Sequence, residues 1–413
     1  MSTISKLTRP FFIFVLLLIL GTLNGSSITL DQALREAVSS HPLLAISANR
    51  IESTEGKRIQ AGLRPNPLFV YQTEDFRTWQ SPGHRFWQDA DHFFYLQQTF
   101  ETASKRARRL DVALANQRRA EIEVTLQKQM IAAKVRAAFW DSTGALKRAA
   151  TLRQAVKNLA EITEYHRIQV KEGAMAEADL LRVELEENKI SLLANSADID
   201  AQRQLIRLQR EMGRSDITPV TIEDSLLDAP VSFHFSSLES ALAQRAEIQL
   251  ARQIIQLASA QIGLETALAT PNIDGVGGYK RSKNFDTILW GFQVQLPAFN
   301  RNQGNIASAT AEDRLAHSAL RSTEALIQSE YSGALREVEL RSRQLEGSVL
   351  PLRVRAAESA RLVREAYRLG GADLLRLIDA QRNLLDTEQL YIDSLLALRQ
   401  AEASLQSATG LLP

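Results

Sequence analysis

The sequence predicts a mainly α-helical chain with a membrane β-barrel portion: long helical hairpins that build a tube, plus four strands per chain that a trimer pools into a twelve-strand barrel. Three observations carry this expectation. The chain repeats itself once, its longest segments lack helix breakers over far more residues than a globular domain uses, and four short runs have strand character.

The repeat is a repeat of order. Ala61-Gly62-Leu63-Arg64-Pro65-Asn66-Pro67 leads into two strand-like runs and a long helical stretch, and Leu268-Ala269-Thr270-Pro271-Asn272 opens the same succession again. Ala178-Asp179-Leu180-Leu181-Arg182 matches Ala372-Asp373-Leu374-Leu375-Arg376, and Met212-Gly213 matches Thr409-Gly410, at offsets of roughly 194 to 197 positions; two copies make a duplicated unit, not a solenoid. The expected organisation is a signal over 1–25, a first repeat over 26–225 and a second over 226–413.

The signal reading rests on Lys6 and Arg9 before an apolar run from Phe11 to Leu20, with small residues Gly25, Ser26 and Ser27 after it. That run falls short of the roughly 20 apolar residues of a helical span. A retained anchor is the alternative. Charges interrupt every later apolar stretch, so entry into a membrane would have to use strands.

In the first repeat the strands are expected at about 68–76 and 92–100, and in the second at about 273–281 and 287–296. The last alternates best. Ile288, Trp290, Phe292, Val294 and Leu296 fall on one face, opposite Thr287, Leu289, Gly291, Gln293 and Gln295, as in a strand with one side to lipid. Alone it could be the edge of a soluble sandwich. Trp79, Phe86 and Trp87, between the first two strands, suit an aromatic girdle. Four strands cannot close a barrel, and open edges cannot be satisfied in lipid, so the chain is expected to oligomerise.

No proline occurs between Pro82 and Pro219, and the composition there favours helix. Long helices are expected over 102–165, with a bend near Gly144, and over 176–213; their counterparts are 304–368 and 372–409. At about 1.5 Å per residue the first would be nearly 100 Å long, which only a coiled coil, bundle or tube can use. Leu377, Leu384, Tyr391, Leu398 and Leu405 recur every seventh residue, beside Ile378, Leu385, Ile392 and Leu395, so the last helix packs lengthwise against neighbours.

The chain has 413 residues and no cysteine, which excludes disulfides, thiolate metal sites and a cysteine nucleophile. Its 49 basic and 48 acidic residues become 47 and 48 without Lys6 and Arg9, so global charge gives no case for nucleic acid. His41, His84, His92, His166, His234 and His317 are scattered with no metal-ligand spacing, and no nucleophile elbow, zinc-protease or phosphate-loop motif occurs. Neither an enzyme nor a cofactor or metal site is expected.

From Ile28-Thr29-Leu30-Asp31-Gln32-Ala33-Leu34 to Ala408-Thr409-Gly410-Leu411-Leu412 the chain resembles outer-membrane efflux channels of the TolC type. Three strings resemble its CzcC-like, heavy-metal-efflux subgroup: Leu63-Arg64-Pro65-Asn66-Pro67, Phe100-Glu101-Thr102-Ala103-Ser104-Lys105-Arg106-Ala107-Arg108, and Leu296-Pro297-Ala298-Phe299-Asn300-Arg301-Asn302-Gln303-Gly304-Asn305-Ile306. Members often carry glycines where this chain has Ala103 and Ser104. The resemblance implies a homotrimer in outer-membrane lipid, whose helices form a periplasmic α-barrel meeting a periplasmic adaptor (membrane fusion) protein and an inner-membrane RND-type pump. The implied function is an exit duct for heavy-metal cations. A duct for organic toxicants or secreted protein, and a periplasmic coiled-coil scaffold without a pore, are the alternatives.

Within that frame the helical hairpins turn at Glu172, Gly173 and Ala174 and at Leu369, Gly370 and Gly371, which the resemblance makes adaptor-docking tips. Asp373, Arg376 and Asp379, three apart, share much of one helix face. By resemblance they form a pore constriction, either an acidic ring or an Arg–carboxylate latch; plain charge balancing at a helix N-terminus is the alternative.

Overall fold

The computed structural model describes residues 27–77, 82–222, 238–283 and 285–412. The signal expected over 1–25 and Trp79 lie outside the described residues. The chain runs β1 (Ser27–Ile28), α1 (Leu30–Ser40), α2 (Pro42–Ala61), β2 (Leu68–Glu74), α3 (Phe86–Asp89), β3 (Asp91–Phe100), α4 (Lys105–Lys171) and α5 (Glu177–Glu211). It continues β4 (Thr221–Ile222), α6 (Leu238–Gln244), α7 (Ala246–Leu268), β5 (Ile273–Ser282), β6 (Phe285–Val294), α8 (Gln303–Gln344), a π turn (Leu345–Val349), α9 (Leu350–Arg368) and α10 (Leu374–Ala408).

Helix α4 is one unbroken rod of 67 residues, about 100 Å at 1.5 Å per residue. It starts three residues later than the sequence suggests and runs six residues further. Gly144 does not interrupt the helix, and a Cβ there would come within 2.7 Å of Leu396 Cδ2. Glycine at 144 lets α10 approach.

The second long helix departs from expectation. It is divided, not continuous over 304–368, by the π turn Leu345–Val349. Pro351 supplies the reason, since it has no N–H to give the carbonyl of Gly347 and its ring would crowd that oxygen; widening the preceding turn removes the clash.

Toward the strand end, α4 lies between α2 and α7, and α7 leads on to α8; further down, α4 lies between α5 and α10, and α10 leads on to α8 and α9. The α2–α5 side and the α8–α9 side are therefore the two edges of the protomer. Gly213 ends α5 against His41 and Pro42, at the start of α2, while Gly410 ends α10 against Arg245, which caps α7. Each medium helix thus stacks on a short one, and the two columns are copies of one design.

The main core sits where the stacks meet. Ile131, Val135, Phe139 and Trp140 of α4 pack there with Leu205, Leu208 and Met212, and with Ile392, Leu395 and Leu398 of α10. Of the heptad residues, Leu377, Tyr391, Leu398 and Leu405 are buried, and Leu384 is half-buried. The parallel ladder of β1 with β4 ties residues 27–28 to the segment after α5.

The four long strands form one sheet in the order β2-β3-β5-β6, antiparallel throughout. The last strand is shifted from the expected 287–296: it spans Phe285–Val294, and Leu296 lies beyond it. The tips also correct the repeat alignment. Gly173 and Gly370 occupy the same place in their hairpins, which sets Ala176 against Asp373, so the matched pentapeptides are three residues out of structural register.

Candidate functional site

The sheet has two unlike faces. Register places Phe69 and Tyr71, Phe94, Leu96 and Phe100, Ile273 and Tyr279, and Ile288, Trp290, Phe292 and Val294 on one side. Ile288, Trp290 and Phe292 are 84%, 83% and 71% exposed. Such an apolar face costs free energy in water at about 25 cal/mol per Å² and costs none in lipid. Edge strands β2 and β6 each pair on one side only, leaving backbone donors and acceptors that a membrane cannot satisfy. At the far end, His92 is buried under Phe86 and Trp87. Its Nε2–H donates to the Phe86 carbonyl (2.9 Å), so Nδ1 accepts from the Tyr71 hydroxyl (2.9 Å).

Where strands hand over to helices, two of the three diagnostic strings prove to be neighbours. Arg106 Nε donates to the Gly62 carbonyl at 2.5 Å, Arg109 Nη2 to that of Leu63 at 3.2 Å, and Gln98 Nε2 to that of Pro65 at 3.0 Å. Arg109 also forks onto Glu101, holding that carboxyl below its ordinary range. The third string does the same for the second repeat, with Asn302 Nδ2 donating to Glu265 O and Oε2 at 2.8 and 2.7 Å. Thr102 Oγ1 donates to Pro271 O at 2.5 Å, joining the two repeats. The chain enters α4 through two left-handed residues, Ala103 (φ 52°) and Ser104 (φ 56°), and enters α8 through Asn302 (φ 58°).

Both tips are Schellman turns. Ala174 N–H bonds Gln169 O and Gly173 N–H bonds Val170 O; Gly371 N–H bonds Ala366 O and Gly370 N–H bonds Tyr367 O. Gly173 and Gly370 hold φ of 73° and 75°, which L side chains resist. Glu172, Gly173, Ala174, Leu369, Gly370 and Gly371 are all exposed, Leu369 to 88%. The tips differ in how the following helix is capped. Asp373 caps α10 by accepting from the Arg376 N–H at 2.8 Å, whereas Ala176 gives α5 no side-chain cap.

Asp373, Arg376 and Asp379 all lie on the exposed face of α10, opposite buried Leu374, Leu377 and Ile378. None of the ion pairs among the described residues joins Arg376 to either carboxylate; Asp379 adds instead to the field at Arg382. The capping role of Asp373 agrees with charge balancing at a helix N-terminus.

Sequence reading missed two of the links between the hairpins. Arg382 forks onto Glu186, 2.7 Å from Nε, which holds the Glu186 carboxyl below its usual range. Buried His166 donates through Nδ1 to Ile162 O (2.8 Å) and accepts at Nε2 from the Tyr367 hydroxyl (2.8 Å). No sequence signal pairs these residues, because the partners lie about two hundred positions apart. Among the described residues no group of three or more His, Cys, Asp or Glu side chains is drawn together in a metal-ligating arrangement.

Residues 237–411 match the family described as outer membrane efflux protein. Over 403 residues the chain is 25% identical to the cobalt-zinc-cadmium resistance protein CzcC of Cupriavidus metallidurans, covering 93% of this chain and 90% of that one. It is 28% identical over 204 residues to the cation efflux system protein CusC of Escherichia coli, 45% of this chain and 43% of the relative. Among solved structures, a membrane protein from Pseudomonas aeruginosa superposes with a TM-score of 0.77 at 19% identity, covering 94% and 92% of the two chains. CusC superposes at 0.76 and 16% identity, covering 92% and 91%.

Proposed function

We propose that this chain, a TolC-type outer-membrane efflux protein, is the exit duct through which heavy-metal cations leave a Gram-negative cell. It stands in the outer membrane and extends into the periplasm. The observation that carries the reading is the union of a sheet with an apolar outer face and a helical body about 100 Å long, in a chain alignable with CzcC over nearly its whole length. Nothing in the sequence points to bound nucleotide or a catalytic centre, so transport energy would come from an inner-membrane pump of the RND type, reached through a periplasmic adaptor.

Three copies would close the barrel: the open edges of β2 and β6 call for partners, and three four-stranded sheets make a ring within the size range of outer-membrane barrels. The exposed tips around Gly173 and Gly370, with Leu369 as an apolar anchor, would seat the adaptor. Asp373, Arg376 and Asp379 would ring the narrow periplasmic mouth as charged side chains that bias passage toward cations. A duct needs no tight metal site, since its cargo must leave again.

Deleting the gene in its host and scoring growth on zinc, cobalt, cadmium, nickel, copper and silver, beside dyes, detergents and antibiotics, tests the reading. Selective metal sensitivity, restored by the intact gene, is expected. Sensitivity to organic compounds alone would overturn the cation assignment.

A further inference from the structure

From the walls of a cleft between the two helical hairpins of one protomer, we infer that it binds a small, uncharged, amphipathic organic molecule carrying a hydrogen-bond acceptor. Helices α5, α4, α10 and α9 stand side by side in that order, and the cleft opens over the α4–α10 line. Its volume is about 370 Å³, within the roughly 300–1,000 Å³ of small-molecule sites. The lining comes from all four helices of a single chain, roughly 10–30 Å along the rods from Gly173 and Gly370. It includes neither the tip residues nor Asp373, Arg376 and Asp379, so the site is separate from the docking and mouth residues proposed above.

The walls set the size of the apolar part and the charge. Leu159 of α4, Ile190 of α5 and Ile378 of α10 are buried, and with half-buried Leu385 they offer an apolar surface to a hydrocarbon or aromatic body. The charged lining residues are two arginines and two glutamates, and they answer each other. Arg382 forks onto Glu186 across the hairpins. Arg353 Nε donates to Glu388 Oε1 and Oε2 at 2.9 and 3.1 Å, with its guanidinium over the Tyr391 ring at 4.2 Å. An ionic ligand would leave water for walls whose charges are already matched, which is costly; an uncharged one has no such penalty.

Two amides on facing helices supply the polar part. Asn158 Oδ1 of α4 accepts from Gln154 Nε2 at 3.0 Å, and Gln381 Oε1 of α10 accepts from Arg364 Nη2 at 3.3 Å. A guanidinium only donates, so it fixes which end of the Gln381 amide faces it. Both oxygens are thus engaged and both nitrogens turned away. Gln381 Nε2 is buried with no acceptor among the described residues. A buried donor left unpaired is costly, the Arg364 bond is long, and the terminal torsion of glutamine is broad. An oxygen entering the cleft can therefore draw Nε2 out of the wall, with Asn158 Nδ2 as a second donor.

The chain has no cysteine, so a single introduced thiol can report the site. Ala155→Cys places it in the cleft, and Ala160→Cys places it on the same helix, also half-buried, outside the lining. Each purified full-length protein is equilibrated with 2-mercaptoethanol and a naphthyl ketone, a naphthalene or a naphthoate linked as disulfides, and capture is read by intact mass. The Ala155→Cys chain should take the ketone best and the naphthoate least, while the Ala160→Cys chain should not discriminate. Gln381→Leu, an isosteric change that removes the unpaired amide, should erase the ketone's lead over naphthalene, a loss of about two- to tenfold. Asn158→Leu should reduce it in part, and Leu385→Trp, which fills the cleft, should block capture. Equal capture at the two positions, or capture that survives Leu385→Trp, would overturn the site. Preference for the naphthoate would overturn the charge argument, and a ketone lead unchanged by Gln381→Leu would overturn the role of the amide. None of these readouts depends on efflux, so the duct reading stands or falls separately.

Discussion

Ala103 and Ser104 hold left-handed backbone at the strand-to-helix junction, so replacing both with glycine should stabilise the protein. A non-glycine residue in that conformation costs roughly 1–2 kcal/mol, and glycine returns about 0.5–1 kcal/mol of this through the added freedom of the unfolded chain. The net gain is then about 0.5–1 kcal/mol per site, or about 1–2 kcal/mol for the pair. Little else changes. Both side chains are exposed, the Ser104 hydroxyl caps nothing, and the local bonds, Lys105 N–H to Thr102 O (3.2 Å) and Arg108 N–H to Ser104 O (3.0 Å), are backbone only. Equilibrium unfolding in urea from detergent should show a higher midpoint with an unchanged slope. Ala103→Val, whose branched side chain suits this region worst, should move the midpoint the other way. A glycine pair no more stable than the parent, or a valine variant equal to it, would refute the strain argument.

Ala176→Asp should supply α5 with the cap that Asp373 gives α10, worth about 1 kcal/mol, and appear as slower amide hydrogen exchange over Glu177–Leu181; unchanged exchange would deny the comparison of the tips. Glu186→Gln should cost about 1–2 kcal/mol, between the ranges for exposed and buried pairs, because Arg382 is half exposed. The folded pKa of Glu186 is depressed, so the parent's advantage should be full above the unfolded carboxylate range and vanish as pH falls through the folded value; unfolding midpoints across pH 3–7 check the sign. Gly144→Val should cost about 1–3 kcal/mol by overpacking against Leu396, seen as a lower urea midpoint. Gly370→Glu should abolish efflux while the trimer survives on a gel, and wild-type efflux would end the docking assignment.

Much of the fold was readable because its physics is periodic. A strand between lipid and a polar interior must alternate, which exposed Ile288, Trp290, Phe292 and Val294, and a helix packed lengthwise must repeat by sevens, which exposed the core of α10. The tips were readable because a tight helical hairpin needs glycine at positive φ. Other features left signals that went unused: Thr29 and Gln32 spell the capping box that opens α1, and Pro351 announces the π turn. The Glu186–Arg382 and His166–Tyr367 links left none, since each depends on how two distant hairpins lean together. Asp373 shows the ambiguity of short motifs, because the same aspartate suits a constriction and a helix cap, and only the 2.8 Å bond to the Arg376 N–H reveals the second role.

A tube made from duplicated chains meets each helix contact twice, once inside a protomer and once between protomers, and the two occurrences need not be equally strong. The internal one, α4 on α10, is sealed by Gly144 beneath Leu396 and continues into the main core. Each chain leaves Leu185, Leu192, Ile199 and Ile206 of α5 exposed, a face that a second copy would cover on the proposed trimeric reading. Among the departures from exact repetition are Pro351 and its π turn in the second rod, and Asp373 in place of Ala176 after the tip. These make the two hairpins of each chain inequivalent, so on the proposed trimeric reading an adaptor at the tips would meet two kinds of groove in alternation instead of six identical ones.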